Sequence, residues 1–137
     1  STSTAAGGAL TYNNRSLLIT GDMSFAHDLG GLTIASRYDA PLDIIVMNNC
    51  GGGIFRFIDS TSSLPGREEY FCADPEVDIK AIAESFGFEY HRADSAESLR
   101  KVLTLFYSSA KKTPQRRLLE VRVPAEESAV ILKQLLK

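Results

Sequence analysis

At 137 residues, 44% hydrophobic and 23% charged, the chain has the size of one domain and the composition of a globular protein. Fifteen basic residues against seventeen acidic leave a formal net charge of −2, which excludes the concentrated basic face that nucleic-acid binding requires. No apolar run approaches the ~20 residues that cross a bilayer, no signal-peptide pattern is present, and Cys50 and Cys72 make neither a CxxC pair nor a disulfide framework. The expectation is a cytoplasmic protein that meets neither membrane nor nucleic acid.

The chain opens on STSTAAGGAL, which reads as helix interior more than as a natural beginning, so a fragment of something longer is expected. Leu17 to Thr20 is a short apolar run ending at Gly21-Asp22, and a helix should begin near Ser24 and carry Phe25, Leu29 and Leu32 inward. Leu42 to Met47 is a second apolar run, bounded by Pro41 and by Asn48-Asn49. Near-continuous apolar runs suit strands covered on both faces, as in parallel sheets. Ile79, Ile82, Ala83 and Phe86 share one helical face, with Gly87 as a stop. Phe88 to His91 is a weaker strand. Leu99, Val102, Leu103 and Phe106 repeat the helical spacing behind Asp94 and Glu97, which resemble a capping box. Lys111, Lys112, Arg116 and Arg117 cluster around Pro114 and read as a solvated loop. Leu119, Val121 and Val123 alternate with Glu120 and Arg122, which suggests a strand near a sheet edge.

Strands alternating with helices imply βαβ units and an α/β fold with a doubly wound parallel sheet flanked by helices. Ligands of such sheets bind beyond the carboxyl ends of the strands. Two unusual clusters stand there. Gly21-Asp22-Met23-Ser24 joins a strand to a helix, whose unpaired N–H groups suit a diphosphate. Ser24 can cap that helix or donate to a phosphate oxygen. Asp22 beside a diphosphate is repulsive unless a cation lies between them, and Mg²⁺ takes such oxygens at ~2.1 Å. The bland reading is a serine cap with an incidental acid. Asn48-Asn49-Cys50-Gly51-Gly52-Gly53 follows the second apolar strand, with an amide oxygen as a neutral hard ligand and glycines that let main chain approach a phosphate closely. A plain glycine-rich turn would account for the glycines equally well.

Gly21-Asp22, followed one strand–helix–strand unit later by Asn48-Asn49, resembles the cofactor motif of thiamine-diphosphate-dependent enzymes. Within that family, GDMSFAHDLGGL, APLDIIVMNNCGGGIF and the opening STSTAAGG are similar to the C-terminal domain of the menaquinone-pathway synthases that form 2-succinyl-5-enolpyruvyl-6-hydroxy-3-cyclohexene-1-carboxylate. The resemblance spans essentially the whole chain, strongly from Gly21 to Phe55. It implies one diphosphate-binding domain over residues 1–137, the C-terminal fragment of a longer multidomain enzyme. Thiamine diphosphate would meet Gly21, Asp22, Met23, Ser24, Asn49, Gly51 and Gly52, with Mg²⁺ held by the Asp22 carboxylate, the Asn49 amide and the Gly51 carbonyl. Met23 departs from the glycine common at its place in the motif.

The same resemblance sets Ile54 and Phe55 on the substrate-facing side, although a helix burying two apolar residues explains them as well. It implies a transferase that decarboxylates 2-oxoglutarate and adds the succinyl carbanion to isochorismate. The pyrimidine-binding domain would come from a second subunit of a homo-oligomer. No catalytic residue is assigned in this chain, and alone it would have no turnover. His27 and His91 read as structural or solvent-facing, and Cys50, a poor ligand for Mg²⁺, inherits no role. Two other readings remain: the same domain of an acetohydroxyacid synthase or 2-oxoacid decarboxylase relative, and a non-catalytic, flavodoxin-like phosphate-binding module. A nicotinamide-binding domain is set aside, because no GxGxxG follows either strand.

Overall fold

The computed structural model describes residues 1–58, 63–108 and 116–135. Four strands, β1 (Ser16–Gly21), β2 (Leu42–Asn48), β3 (Glu89–Ala93) and β4 (Arg117–Arg122), form one parallel sheet in the order β1-β2-β4-β3. Around it lie α1 (Thr2–Tyr12), α2 (Asp22–His27), α3 (Gly30–Arg37), α4 (Arg67–Tyr70), α5 (Ile79–Ser85), α6 (Ala96–Ser108) and α7 (Ala125–Leu135). The expected doubly wound parallel sheet flanked by helices is what forms. Among the described residues no helix is long and apolar enough to cross a membrane.

Strand side chains alternate between the two faces, and two cores follow. On one face Leu42, Ile44, Val46 and Leu118 meet Ala6 and Ala9 of α1, Phe25 of α2, Leu32 and Ala35 of α3, and Ile79 and Ala83 of α5. On the other, Ile45, Leu119, Val121 and Ala93 meet Leu99, Val102, Leu103 and Phe106 of α6. Right-handed crossovers explain the division: the chain steps one way from β1 through β2 to β3, then back to β4, so α6 alone of the crossover helices falls on the opposite face. Fully burying a side chain such as Phe25 or Leu32 stabilises by about 1.5–3 kcal/mol.

Several local expectations are corrected. The strand carrying Leu119 and Val121 is interior, between β2 and β3, although Glu120 and Arg122 suggested an edge. Arg117 and Glu120 are buried because partners reach them from distant sequence, while Arg122 at the strand's end is exposed. Arg117 pairs in register with Asp43 and donates to both its oxygens, at 2.9 and 2.6 Å, so it is no part of a solvated loop. Arg116 reaches Asp39 at 2.7 Å, while Lys111 and Lys112 lie outside the described residues. The helix after β1 starts at Asp22, not near Ser24, and is interrupted at Asp28, whose carboxylate accepts the N–H of Thr2 at the start of α1. The cap of α6 is made by Ser95 and Ser98, each side chain accepting the other's backbone N–H at 3.0–3.1 Å, and not by Asp94 with Glu97.

Candidate functional site

The carboxyl ends of β1, β2 and β4 open on a cleft of about 310 Å³. Gly21, Asp22, Met23 and Ser24 form one wall, and Asn49, Gly51, Gly52, Gly53 and Ile54 another. Met47, Val123 and Ser128 complete the lining. Of the residues expected at the cofactor, every one from Gly21 to Gly52 meets here. Ile54 also lines the cleft, and at 65% exposed it stands on the rim instead of being buried by a helix. Phe55 is not in the lining; its ring packs against Phe71, with centroids 5.4 Å apart.

Asp22 is the first residue of α2 and only 3% exposed. Its two oxygens accept backbone N–H groups, Oδ1 from Met23 and Oδ2 from Gly51, each at 2.8 Å. The carboxylate thus ties the end of β1 to the turn after β2. No cation pairs with it among the described residues, and each oxygen keeps a lone pair free of these bonds. It is also the one carboxylate in the lining. Ser24 lies within the first turn of α2, so it does not cap that helix, and it sits on the cleft wall.

The turn after β2 has its own logic. Cys50 adopts φ 60° and Gly51 φ 111°, both in the left-handed half of backbone space. At Gly51 a side chain has no room: a Cβ would stand 2.3 Å from the Ala73 carbonyl oxygen and 2.5 Å from that of Cys72. At Gly53 it would stand 2.2 Å from the Asn49 amide nitrogen. The Gly51 carbonyl accepts the Gly53 N–H at 2.6 Å. The two asparagines divide their duties. Asn48 is buried, donates to Glu120 at 2.7 Å and accepts the Cys50 N–H at 3.0 Å. Asn49 is half-buried in the cleft wall, and its amide has no hydrogen-bond partner among the described residues.

Behind the turn, the second oxygen of Glu120 accepts from the Tyr90 hydroxyl at 2.6 Å. Burial, and then this hydrogen bond, push the Tyr90 pKa above its ordinary value, so the hydroxyl keeps its proton. The histidines are structural: His27 bonds the Met23 carbonyl one helical turn back, and His91 bonds Glu89 and meets Phe106 edge-on. Sequence reasoning missed Glu120 and the wall formed by α7. A readable signal for α7 exists, since Ala125, Ser128, Ile131 and Leu135 repeat at helical spacing and line a second cleft of about 380 Å³ that shares Asn49, Gly53 and Ser128 with the first.

Residues 1–116 match the family model described as the C-terminal TPP binding domain of thiamine pyrophosphate enzymes. The chain belongs to that family. It is 42% identical over 132 residues to the 2-succinyl-5-enolpyruvyl-6-hydroxy-3-cyclohexene-1-carboxylate synthase of Porphyromonas gingivalis, covering 96% of this chain and 22% of that protein. With the synthase of the same name from Flavobacterium johnsoniae it shares 37% identity over 137 residues, all of this chain and 24% of that protein. The chain therefore spans about a quarter or less of these relatives. Solved structures agree on the thiamine-diphosphate fold. A benzoylformate decarboxylase from Polynucleobacter necessarius superposes with a TM-score of 0.69 at 20% identity, over 88% of this chain and 23% of the other. A thiamine diphosphate-dependent 4-hydroxybenzoylformate decarboxylase from Rhodococcus jostii gives 0.69 at 25%, over 88% and 22%. Membership in the thiamine pyrophosphate family displaces the flavodoxin-like alternative.

Proposed function

We propose that this chain binds the diphosphate end of thiamine diphosphate together with Mg²⁺, as the C-terminal domain of a longer, cytoplasmic, homo-oligomeric enzyme. That enzyme decarboxylates 2-oxoglutarate and transfers the succinyl unit to isochorismate. The observation that carries the cofactor half is Asp22, a deeply buried carboxylate facing a cleft with no cation beside it among the described residues. An uncompensated buried charge is costly, and a divalent cation in the cleft offsets that cost while attracting a diphosphate. The glycines serve the same site indirectly, because the turn that lines the cleft can pack against residues 71–73 only without side chains at Gly51 and Gly52. The substrate half rests on the relatives, whose name specifies a succinyl-bearing product.

In this reading Asp22, the Asn49 amide and the Gly51 carbonyl hold the metal. Gly21, Met23, Ser24 and Gly52 bound the diphosphate, and Ile54 faces the substrate, while Phe55 supports the turn through Phe71. When bound, the cofactor supplies the electron sink for decarboxylation of a 2-oxoacid. This chain's part is to bind and orient. Among the described residues the cleft lining holds no acid–base residue besides the carboxylate assigned to the metal, and the aminopyrimidine ring falls to a domain of a second subunit.

The test uses the whole protein that carries this domain, with thiamine diphosphate, Mg²⁺ and 2-oxoglutarate, with and without isochorismate. Isochorismate-dependent adduct formation, abolished in Asp22→Ala, is the expected outcome. Cofactor-dependent CO₂ release that ignores isochorismate would move the enzyme toward the 2-oxoacid decarboxylases and leave the metal site intact. Decarboxylation by the purified 137-residue chain alone, above a cofactor-only blank, would defeat the division of labour between domains.

A further inference from the structure

A carboxylate in the middle of a parallel sheet is costly to desolvate. Glu120, 6% exposed on interior β4, has cationic neighbours that are held loosely or elsewhere: Arg122 lies 3.5 Å away with its side chain 40% exposed, and Arg92, its register partner on β3, is bonded to Asp94. The two oxygens are turned instead toward neutral donors, the side-chain amide of Asn48 at 2.7 Å and the hydroxyl of Tyr90 at 2.6 Å. A carboxylate can only accept, so it dictates which end of the Asn48 amide faces it. Nδ2 points to Glu120, and Oδ1 is thereby turned to the Cys50 N–H, which it accepts at 3.0 Å. The Asn48 carbonyl takes the Val123 N–H at 2.8 Å, which holds the residue from its main chain as well.

That orientation starts the turn in which Cys50 and Gly51 take positive φ. The turn then brings Asn49 into the cleft wall and the Gly51 N–H to Asp22. With no obligate acceptor behind it, the Asn48 amide would be oriented by the Cys50 N–H alone, and the first hydrogen bond of the turn would weaken.

We propose that Glu120 is a positioning residue of the cofactor site: through Asn48 it sets the turn that presents Asn49 and Gly51 to Mg²⁺ and the diphosphate. The proposal rests on the function proposed above. Glu120 lines no part of the cleft, so it acts from behind the turn and not by contact with the ligand.

The experiment compares Glu120→Gln with wild type and with Ser95→Ala, a control destabilised at the cap of α6, each within the whole protein that carries this domain. Gln keeps the shape and removes the obligation to accept. Two quantities are read: amide hydrogen exchange in the ligand-free chain, and Mg²⁺-dependent binding of thiamine diphosphate. In Glu120→Gln the Cys50 amide should exchange about tenfold faster relative to the β2–β4 ladder, and binding should weaken about tenfold, the scale of lost outer-shell support. In Ser95→Ala all amides should move together and binding should hold. Glu120→Met, uncharged and of similar length, should act in the same direction and replaces Gln if that variant does not fold. Binding equal to wild type, or a Cys50 amide that moves only with the ladder, overturns the positioning role while leaving the cofactor reading. A whole wild-type protein that binds neither Mg²⁺ nor thiamine diphosphate overturns the cofactor reading, and the positioning role with it.

Discussion

At the amino ends of β2 and β4, Asp43 faces Arg117 across the ladder and both its oxygens are taken by guanidinium groups, with Arg15 adding a third bond at 2.7 Å. At the carboxyl ends of β1 and β2, Asp22 is as deeply buried, 3% exposed against 4%, yet meets only two backbone N–H groups. Burial alone does not separate the two carboxylates. What separates them is where the neutralising charge comes from. Asp43 is matched within the chain and braces the sheet, whereas Asp22 has no cation beside it among the described residues, which is the ground for the metal site proposed above. A buried carboxylate marks a ligand site when its counter-charge is missing from the fold and its remaining lone pairs face open space.

The comparison breaks most sharply at Asp43. Removing one partner of a buried pair strands the other, so Asp43→Ala should cost about 3–5 kcal/mol of stability in urea denaturation. A loss of about 1 kcal/mol, the scale of an exposed pair, would mean that the arginines find other partners and that the pair does not brace the sheet. Asp22→Asn should do the reverse. It keeps an acceptor for a backbone N–H, so stability should fall by only about 1 kcal/mol. Mg²⁺-dependent binding of thiamine diphosphate, followed by calorimetry, should weaken at least about a hundredfold, or about 2.7 kcal/mol. Retained binding would place the cation elsewhere.

How far these two regions can be read in the sequence differs for physical reasons. The junctions Gly21-Asp22 and Asn48-Asn49 are legible because a strand end, a turn and their chemistry are adjacent in the chain. The nearly continuous apolar run from Leu42 to Met47, broken only by Asp43, is legible as a strand covered on both faces for the same local reason. Strand β4 misleads, since Arg117 and Glu120 look solvent-facing until their partners are known, and those lie 74 and 72 residues away at Asp43 and Asn48. Which asparagine faces the cleft is legible only through the family resemblance, which names Asn49. The two are indistinguishable locally, and the separation depends on Glu120, which no spacing rule connects to them. The break between α2 and α3 likewise follows from Asp28 serving the start of α1.

A steric version of the comparison sets two glycines against each other. Gly51→Ala forces a side chain against the backbone of Cys72 and Ala73 at positive φ, and should cost about 1–3 kcal/mol while loosening cofactor binding. Gly30→Ala, in α3 with open space around its would-be Cβ, should be neutral or stabilising by about 0.5–1 kcal/mol. Thermal unfolding of the pair tests whether the turn, and not glycine content in general, demands the missing side chain. Equal behaviour of the two variants would mean that the 71–73 backbone gives way.

The smallest effect is a pH dependence, and its sign is fixed by Tyr90. The hydroxyl titrates above its ordinary 10.0 in the folded protein, through burial first and the bond to Glu120 second. The folded state therefore holds this proton more tightly than the unfolded chain does. The associated stability is complete below the unfolded value and is lost as pH rises through the folded one. Tyr90→Phe removes the titrating group and should cost about 1 kcal/mol at neutral pH. Denaturation series on both proteins should show that difference constant up to about pH 10 and shrinking above it, since only wild type has the proton to lose. A difference that grows with alkalinity would mean that Glu120 is not accepting from Tyr90, and would detach the carboxylate behind the turn from the edge strand that supports it.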